Sequence, residues 1–225
     1  KMGKKTIVIS LGGSIIVPDQ IDVSFLKKFK QIITRLKEDR FVIICGGGKI
    51  CRNYQEAAKA TSVIPKEDLD WIGIRATRLN AELVRSSFGD DAHKKVIHDP
   101  HEEIDGSGRI VIGAGFEPGS STDLRAVQLA KRFGASRVIN MSNIDYVYSA
   151  DPKKDPHAER MGSVSWPAFR KLVGNEWDPG LNMPFDPIAS REAEAVGLEV
   201  VIIGNDMENF ERLLNGEKFR GTTIS

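Results

Sequence analysis

Short apolar runs alternate with amphipathic stretches along most of the chain. The runs are rich in β-branched residues and almost continuously hydrophobic, as expected of parallel strands that helices cover on both faces. The predicted strands are Thr6–Leu11, Phe41–Cys45, Lys95–His98, Arg109–Gly113, Arg137–Met141, Glu199–Ile203 and Gly221–Ile224. This alternation predicts an open α/β sandwich around a mainly parallel sheet.

Apolar side chains recur at helical spacing between these runs. They include Phe25, Phe29, Ile32, Ile33 and Leu36, then Ala126, Val127, Ala130 and Phe133, and finally the segment Asn209–Leu214. The stretch Ala150–Asn182 interrupts the rhythm with Pro, Gly and charged residues. It predicts a lid or a connection to a small subdomain.

The composition narrows the class of protein. The 225 residues carry 32 Lys+Arg against 31 Asp+Glu, a formal net charge of +1, which argues against a dedicated nucleic-acid binder. A hydrophobic share of 40% excludes a disordered chain. No apolar run approaches the roughly 18 residues that span a membrane, and Thr6–Leu11 is too short for the core of a signal peptide.

The cysteines and histidines predict neither a disulfide framework nor a transition-metal site. Cys45 and Cys51 are the two cysteines, and so small a number favours reduced thiols and a cytoplasmic location over a disulfide framework. The four histidines are scattered and form no transition-metal motif. The chemistry is therefore expected elsewhere in the chain.

Three glycine-rich turns directly follow predicted strands. They are Gly12-Gly13-Ser14, Gly46-Gly47-Gly48-Lys49 and the segment from Gly113 to Thr122. Glycine lacks the Cβ that would hold a phosphate away, and the N–H groups that open the following helix bind anions. Tight strand-to-helix packing explains any one turn equally well. Three turns at the carboxyl edge of one sheet favour a ligand site.

Two familiar phosphate motifs do not fit. The sequence GGGKI does not match the Walker A pattern, because it lacks that pattern's upstream glycine and has no Ser or Thr after the lysine. Gly113, Gly115 and Gly119 are one residue too widely spaced for the dinucleotide fingerprint, and no acidic residue closes the next strand, near Met141, to bind a ribose. A dehydrogenase is therefore a poor second interpretation.

Charged and polar side chains near the turns are candidates for binding a nucleotide. Lys49 and Arg52 either contact phosphate oxygens or lie on a solvated helix face. Asp70 either accepts from a ribose or a base, or caps its helix. The same helical segment continues with Arg75, Thr77, Arg78 and Asn80. After Arg137–Met141 come side chains suited to a purine and its ribose: Ser142, Asn143, Tyr148 and Asp151.

Together, these segments resemble a known family. The motifs LGGS, CGGGKICRNY, DWIGIRATRLNA, GFEPGSSTD, SNIDYVYSADPKKDP, FDPIAS and GTTI follow one another between Thr6 and Ile224. In that order they resemble the amino-acid-kinase superfamily, specifically the archaeal-type uridylate (UMP) kinases. The resemblance implies a three-layer α/β/α sandwich with a mainly parallel eight-stranded sheet. It also implies one domain over residues 1–225, with an acceptor half to about residue 135 and an ATP half beyond it.

The resemblance further implies an activity and an assembly. The family transfers the γ-phosphoryl group of ATP to UMP, giving UDP and ADP in pyrimidine nucleotide biosynthesis. It works with Mg²⁺, in the cytoplasm, usually as a homohexamer. The nucleotide phosphates hold most of the Mg²⁺ coordination, so no protein residue is predicted as a metal ligand. Neither a nucleic acid nor a membrane is expected as a partner.

The resemblance also implies site residues. The ATP-binding residues would be Gly13, Ser14, Gly48, Arg52, Ser142, Asn143, Tyr148 and Asp151. The UMP-binding residues would be Gly47, Asp70, Phe116, Glu117, Pro118, Gly119, Ser120, Ser121 and Thr122. Because the acceptor phosphate is itself an anionic nucleophile, the reaction needs cations and positioning rather than a general base. Lys49 and Arg52 are therefore the catalytic candidates.

Three departures from the family pattern leave alternatives open. Ser10 stands where many members carry Lys, Tyr146 replaces a glycine, and Asn175–Pro184 differs from the usual lead-in to the DPxA motif. One alternative is a sibling kinase for an acyl, carbamate or isopentenyl phosphate acceptor, which the missing Lys disfavours. Another is a nucleotide sensor without catalysis, which the intact segment 116–122 disfavours.

Overall fold

The computed structural model describes residues 5–104, 108–152, 154–176 and 183–225. The helices are α1 Gly13–Ile16, α2 Val23–Arg35, α3 Gly48–Thr61, α4 Lys66–Phe88, α5 Thr122–Arg132, α6 Trp166–Val173, α7 Pro187–Ala195 and α8 Met207–Leu214. The strands are β1 Thr6–Leu11, β2 Arg40–Cys45, β3 Ile110–Gly113, β4 Arg137–Met141, β5 Val147–Tyr148, β6 Arg160–Met161, β7 Ser163–Val164, β8 Glu199–Ile203 and β9 Thr222–Ile224.

Seven of these strands form one sheet in the order β3-β2-β1-β4-β8-β9-β7. The first five are parallel, β9 is antiparallel to β8, and β7 is parallel to β9. The strands β5 and β6 pair separately as a short antiparallel ribbon. The strand order reverses between β1 and β4. Ligands of open α/β sheets bind at the carboxyl ends of the strands beside such a reversal.

Alternate side chains of each parallel strand enter two different cores, so helices cover both faces of the sheet. On one face, Phe29 of α2 stacks at 5.7 Å on both Phe25 and Phe210, the latter from α8. On the other face, α5, α6 and α7 bury apolar residues such as Phe169. This arrangement confirms the three-layer α/β/α sandwich. The helix α3 buries no residue and packs outside the sandwich against α1 and α4.

Two expectations need correction. Lys95–His98 is not a strand, because its neighbourhood makes only isolated parallel bridges to β3, at Ala92–Ile110 and Ile97–Gly113. Between them Nδ1 of His93 lies 2.9 Å from the carbonyl oxygen and 3.2 Å from the backbone nitrogen of Lys95, and this side-chain contact turns the chain away from regular pairing. The described residues therefore give a main sheet of seven strands, one fewer than the resemblance implied.

The stretch Ala150–Asn182 is only partly a surface connection. Its strand β7 joins the main sheet, and Trp166 of α6 is buried and donates to the Leu198 carbonyl at 3.0 Å. The part from β7 through α6 therefore belongs to the sandwich rather than to a lid, which was one of the two predicted alternatives. Residues 177–182, which include most of the unusual Asn175–Pro184 segment, lie outside the described residues.

Candidate active site

A cleft of about 560 Å³ opens at the carboxyl edge of the sheet, beside the reversal of strand order. Residues that follow β1, β2, β3 and β4 line it together with one face of α4. The lining residues are Ser14, Gly47, Gly48, Cys51, Arg52, Gln55, Asp70, Gly73, Ile74, Thr77, Gly115, Glu117, Ser120, Ser121, Thr122 and Asn143.

One side of the cleft is formed by Gly13 and Gly46–Gly48, which we call the glycine wall. A Cβ on Gly13 would lie 2.5 Å from the carbonyl carbon of Gly46 and closer still to the nitrogen of Gly48. Gly48 also has a φ of +64°, which side-chain-bearing residues rarely adopt. Two backbone turns therefore pack directly on one another, and glycine is required for steric reasons.

Asn80 of α4 supports this wall from behind. Its side chain is 3% exposed, and its Nδ2 donates to the carbonyls of Gly46 at 2.8 Å and Gly47 at 3.1 Å. The C=O and N–H of a trans peptide point in opposite directions. Because Asn80 binds both carbonyls, the N–H groups of Gly47 and Gly48 point away from Asn80. These N–H groups lie at the N-terminus of α3, which is the positive end of the helix dipole.

The opposite side of the cleft is the segment 114–121 between β3 and α5, which we call the loop wall. Asp70 of α4 accepts from the N–H of Gly119 at 2.9 Å, and Thr77 accepts from the N–H of Gly115 at 2.9 Å. Gly119 has a φ of +79°, so glycine suits this turn. Arg78 donates to the carbonyls of Gly115 at 3.2 Å and Phe116 at 3.1 Å. Side chains of α4 therefore hold the backbone of this segment at Gly115, Phe116 and Gly119.

A polar cluster around Asp123 of α5 lies near the ends of β1 and β4. Ser10 Oγ and Asn140 Nδ2, near the ends of β1 and β4, donate to Oδ1 of Asp123 at 2.8 Å and 3.0 Å. The backbone N–H of Asp186 donates to the other oxygen of Asp123 at 3.2 Å. The pKa of Asp123 is raised to about 6, mainly by burial; the Ser10 hydrogen bond opposes this rise and the Asp186 charge adds to it.

The comparisons with known proteins agree with this architecture. The model of the amino acid kinase family matches residues 5–204. The chain belongs to the amino acid kinase family. A uridylate kinase of Methanospirillum hungatei is 35% identical over 98% of this chain and 94% of its own length. A uridylate kinase of Thermococcus onnurineus is 37% identical over 97% of this chain and 98% of its own length.

A solved structure gives the same result. The crystal structure of uridylate kinase from Archaeoglobus fulgidus superposes on this chain with a TM-score of 0.84 and 33% identity, covering 98% of this chain and 100% of that one. These findings confirm the resemblance to uridylate kinases within the family. None of the helices in the described residues has the length and apolarity that crossing a membrane requires.

The cleft of this amino acid kinase brings together many of the predicted residues. Those that line it are Ser14, Gly47, Gly48, Arg52, Asp70, Glu117, Ser120, Ser121, Thr122 and Asn143. Gly13, Phe116, Pro118 and Gly119 lie in its walls without lining it. Lys49, one turn before Arg52 on α3, does not line it either, and its N–H donates to the Val17 carbonyl at 3.0 Å.

The predicted adenosine side is less complete, because Asn143 is its sole residue in the cleft lining. Ser142 bonds through its backbone N–H to the Ile203 carbonyl at 3.0 Å. Tyr148 lies on the β5–β6 ribbon, where its hydroxyl accepts from Arg160 at 3.3 Å. The guanidinium of Arg160 also lies 5.4 Å from the ring of Tyr146. The roles of Ser142, Tyr148 and Asp151 remain predictions.

Several residues of the site were missed or left without a role. Thr77, Arg78 and Asn80 stood out as polar residues in one helix, yet the pattern could not say which backbone groups they bind. Cys51 lines the cleft, and burial raises its pKa and that of the enclosed Cys45, so both free thiols stay protonated at neutral pH. Arg125 gave no signal, because it lies within an apolar helical pattern.

Proposed function

We propose that this chain is a uridylate kinase that transfers the γ-phosphoryl group of ATP to UMP, giving UDP and ADP in pyrimidine nucleotide biosynthesis. The observation that carries the proposal is the similarity to uridylate kinases over nearly the whole chain. The cleft supports it, since two backbone turns and a cation converge where an anion would bind. In this proposal residues 1–135 hold the acceptor and residues 136–225 hold most of ATP.

The mechanism requires positioning and charge stabilisation. The acceptor phosphate is the nucleophile, so no proton acceptor is needed. The N–H groups of Gly47 and Gly48 and the Arg52 guanidinium stabilise the transferring phosphoryl group, with Lys49 as a second cation. The loop wall encloses UMP, and Asp70 accepts from its ribose with the carboxylate oxygen that Gly119 leaves free. Ser14, Gly48, Ser142, Asn143, Tyr148 and Asp151 hold ATP.

We propose that Mg²⁺ enters with the nucleotide. Within the described ranges, no three His, Cys, Asp or Glu side chains converge in a way that could hold a metal ion. Both oxygens of Asp123 already accept hydrogen bonds. A site with so few protein ligands fits an ion whose coordination comes mainly from water and phosphate oxygens, as that of Mg²⁺ does. Its chemistry is to neutralise phosphate charge during transfer.

The test is a coupled ADP-release assay with MgATP and a panel of acceptors. We expect turnover with UMP and poor turnover with CMP and dUMP. Carbamate, acetylglutamate and isopentenyl phosphate are included as acceptors of sibling kinases. Turnover of one of these, but not of millimolar UMP, would overturn the proposal. Tight ATP binding by calorimetry without phosphoryl transfer to any acceptor would instead indicate a sensor.

We also propose a cytoplasmic homo-oligomer, for which the resemblance implies six copies. The outer helices α3 and α4 support an assembly, because they and the connection between them expose the apolar residues Tyr54, Val63, Trp71 and Leu79. Light scattering on the purified protein tests this assembly. We expect the mass of a hexamer, and a smaller particle for Leu79→Glu. A monomeric wild type would contradict it.

A further inference from the structure

The loop wall is held from a second side by a residue of α5. Arg125 follows directly after Leu124 in this helix and is only 3% exposed, among buried neighbours that are otherwise apolar. Its Nη2 donates to Ser120 Oγ at 2.7 Å and to Glu117 Oε1 at 3.3 Å. Both of these partners line the cleft.

Two further contacts fix the orientation of the Arg125 guanidinium. Its central carbon lies 5.0 Å from the centre of the Phe116 ring, a cation–π contact. Its Nη1 donates to the side chain of Gln128, one turn later in α5. The guanidinium is therefore placed between the helix and the back of the loop wall.

This placement is unfavourable for stability alone. Glu117 is the one carboxylate of the described residues that forms an ion pair with Arg125, and its side chain is 58% exposed. The Nε of Arg125 is buried and has no hydrogen-bond partner in the described part of the chain. A buried cation with incomplete partners costs more than an apolar side chain of similar volume. We therefore expect the contacts of Arg125 with the loop wall to serve ligand binding as well as folding.

The charge of Arg125 explains this role in binding. Glu117 places a carboxylate in the wall of a cleft that we propose binds a nucleoside monophosphate, whose phosphate is also anionic. An unpaired carboxylate there would repel the ligand, whereas an ion-paired one does so far less. A guanidinium can bind two side chains at once, so it also fixes Ser120 and Glu117 relative to each other.

We propose that Arg125 is a positioning residue for the phosphate acceptor, which holds Ser120 and Glu117 in the loop wall and neutralises the Glu117 carboxylate. The inference rests on the proposed function in one respect, namely that the ligand of this wall is UMP. Preorganising a binding surface raises affinity because the ordering cost is met before the ligand arrives.

The test compares Arg125→Met with Arg125→Lys by steady-state kinetics. In Arg125→Met we expect the KM for UMP to rise about 10- to 100-fold, the equivalent of one or two lost hydrogen bonds to a charged group. The KM for ATP and kcat should stay within about threefold, as for a loss of uniform binding. Arg125→Lys keeps the charge but not the fork, so its KM should be intermediate.

Neutralising Glu117 separates this role from a structural one. The double variant R125M/E117Q should bind UMP about 3- to 10-fold better than Arg125→Met, because no unpaired carboxylate remains. Arg137→Met removes an arginine with a surface partner, Glu199, at the opposite end of β4, and serves as the matched control. An unchanged KM for UMP, an equal rise for ATP, or no recovery in the double variant would each overturn the proposal.

Hydrogen exchange distinguishes failure of this inference from failure of the proposed function. Without any ligand, the amides of residues 114–121 should exchange at least about tenfold faster in Arg125→Met, while those of α8 keep the wild-type rate. If the wild type does not phosphorylate UMP, the proposed function fails and this comparison still decides the role of Arg125. Equal exchange of residues 114–121 in both proteins would overturn that role.

Discussion

The two walls of the cleft are stabilised in different ways. In the glycine wall, backbone packs on backbone, and a Cβ on Gly13 would collide with Gly46 and Gly48. In the loop wall, side chains of the flanking helices hold the backbone through hydrogen bonds, as Asp70 does at Gly119. The first wall is thus fixed by steric exclusion and tolerates no added atom. The second depends on polar contacts that can be removed one at a time.

The largest effect is expected where the first wall is broken. Gly13→Ala forces a methyl group into the backbone of Gly46 and Gly48, neither of which can rotate away. We expect a loss of about 3 kcal/mol or more in the free energy of unfolding and loss of UMP turnover. Urea unfolding and the ADP-release assay measure the two effects.

Gly162→Ala is the matched control for that substitution. No atom lies within 4 Å of a Cβ built at Gly162, and its φ is not positive. It should change the free energy of unfolding by less than about 0.5 kcal/mol. Equal stability of the Gly13 and Gly162 variants would show that the glycine wall can move apart, and the contrast between the walls would be lost.

The next prediction separates the two cations beside the glycine wall. Arg52 lines the cleft and Lys49 does not. Arg52→Met should therefore lower kcat/KM for UMP by about 100- to 1000-fold, in the range of a lost charge-stabilising donor. Lys49→Met should lower it by less than about tenfold. The reverse order would assign transition-state stabilisation to Lys49 and require α3 to shift when nucleotides bind.

A smaller effect is expected behind the glycine wall. Asn80→Ala leaves the buried carbonyls of Gly46 and Gly47 without their donor, which should cost about 2 kcal/mol in the free energy of unfolding. Asn80→Asp should cost more at pH 8, because a carboxylate faces the same carbonyls without a proton to donate. The exposed Asn53 on α3 provides the control substitution to Ala. If urea unfolding at pH 8 showed the Asn80→Asp variant to be more stable than the Asn80→Ala variant, this role of Asn80 would be contradicted.

The fold could be predicted well from the sequence because its signals are local. Continuous β-branched runs such as Glu199–Ile203 and Arg137–Met141 match the strands as the structure has them. Lys95–His98 also contains two β-branched residues but fails as a strand, because it lies at the sheet edge and a side-chain hydrogen bond of His93 bends the chain there. Edge position is a property of the whole sheet, which a local pattern does not contain.

The candidate site was predictable only in part for a similar reason. Glycine turns after strands identify the edge where a ligand binds, and Gly47, Gly48 and Arg52 do line the cleft. Arg125 could not be found this way, since a charged residue inside an amphipathic helix is normally a surface residue. Its partners Ser120 and Glu117 are near in sequence, but its burial depends on packing between distant elements.

The smallest effect at acid pH is expected at Ser10, in the polar cluster near the ends of β1 and β4. Burial raises the pKa of Asp123 to about 6, so ionised Asp123 lowers the stability of the fold as the pH rises through that value. The Ser10 hydrogen bond opposes the shift, and a hydrogen bond to a charged acceptor is stronger than one to a neutral acceptor. Ser10→Ala should therefore lower the free energy of unfolding by about 1 kcal/mol at pH 5 and by about 2 kcal/mol at pH 8.

Urea unfolding at both pH values measures this difference, with Ser87→Ala as the control. Because Ser87 donates to the neutral carbonyl of Val84, the stability cost of Ser87→Ala should not depend on pH. Equal costs of Ser10→Ala at the two pH values would mean that Asp123 carries the same charge at both, and that the cluster is not sensitive to its ionisation.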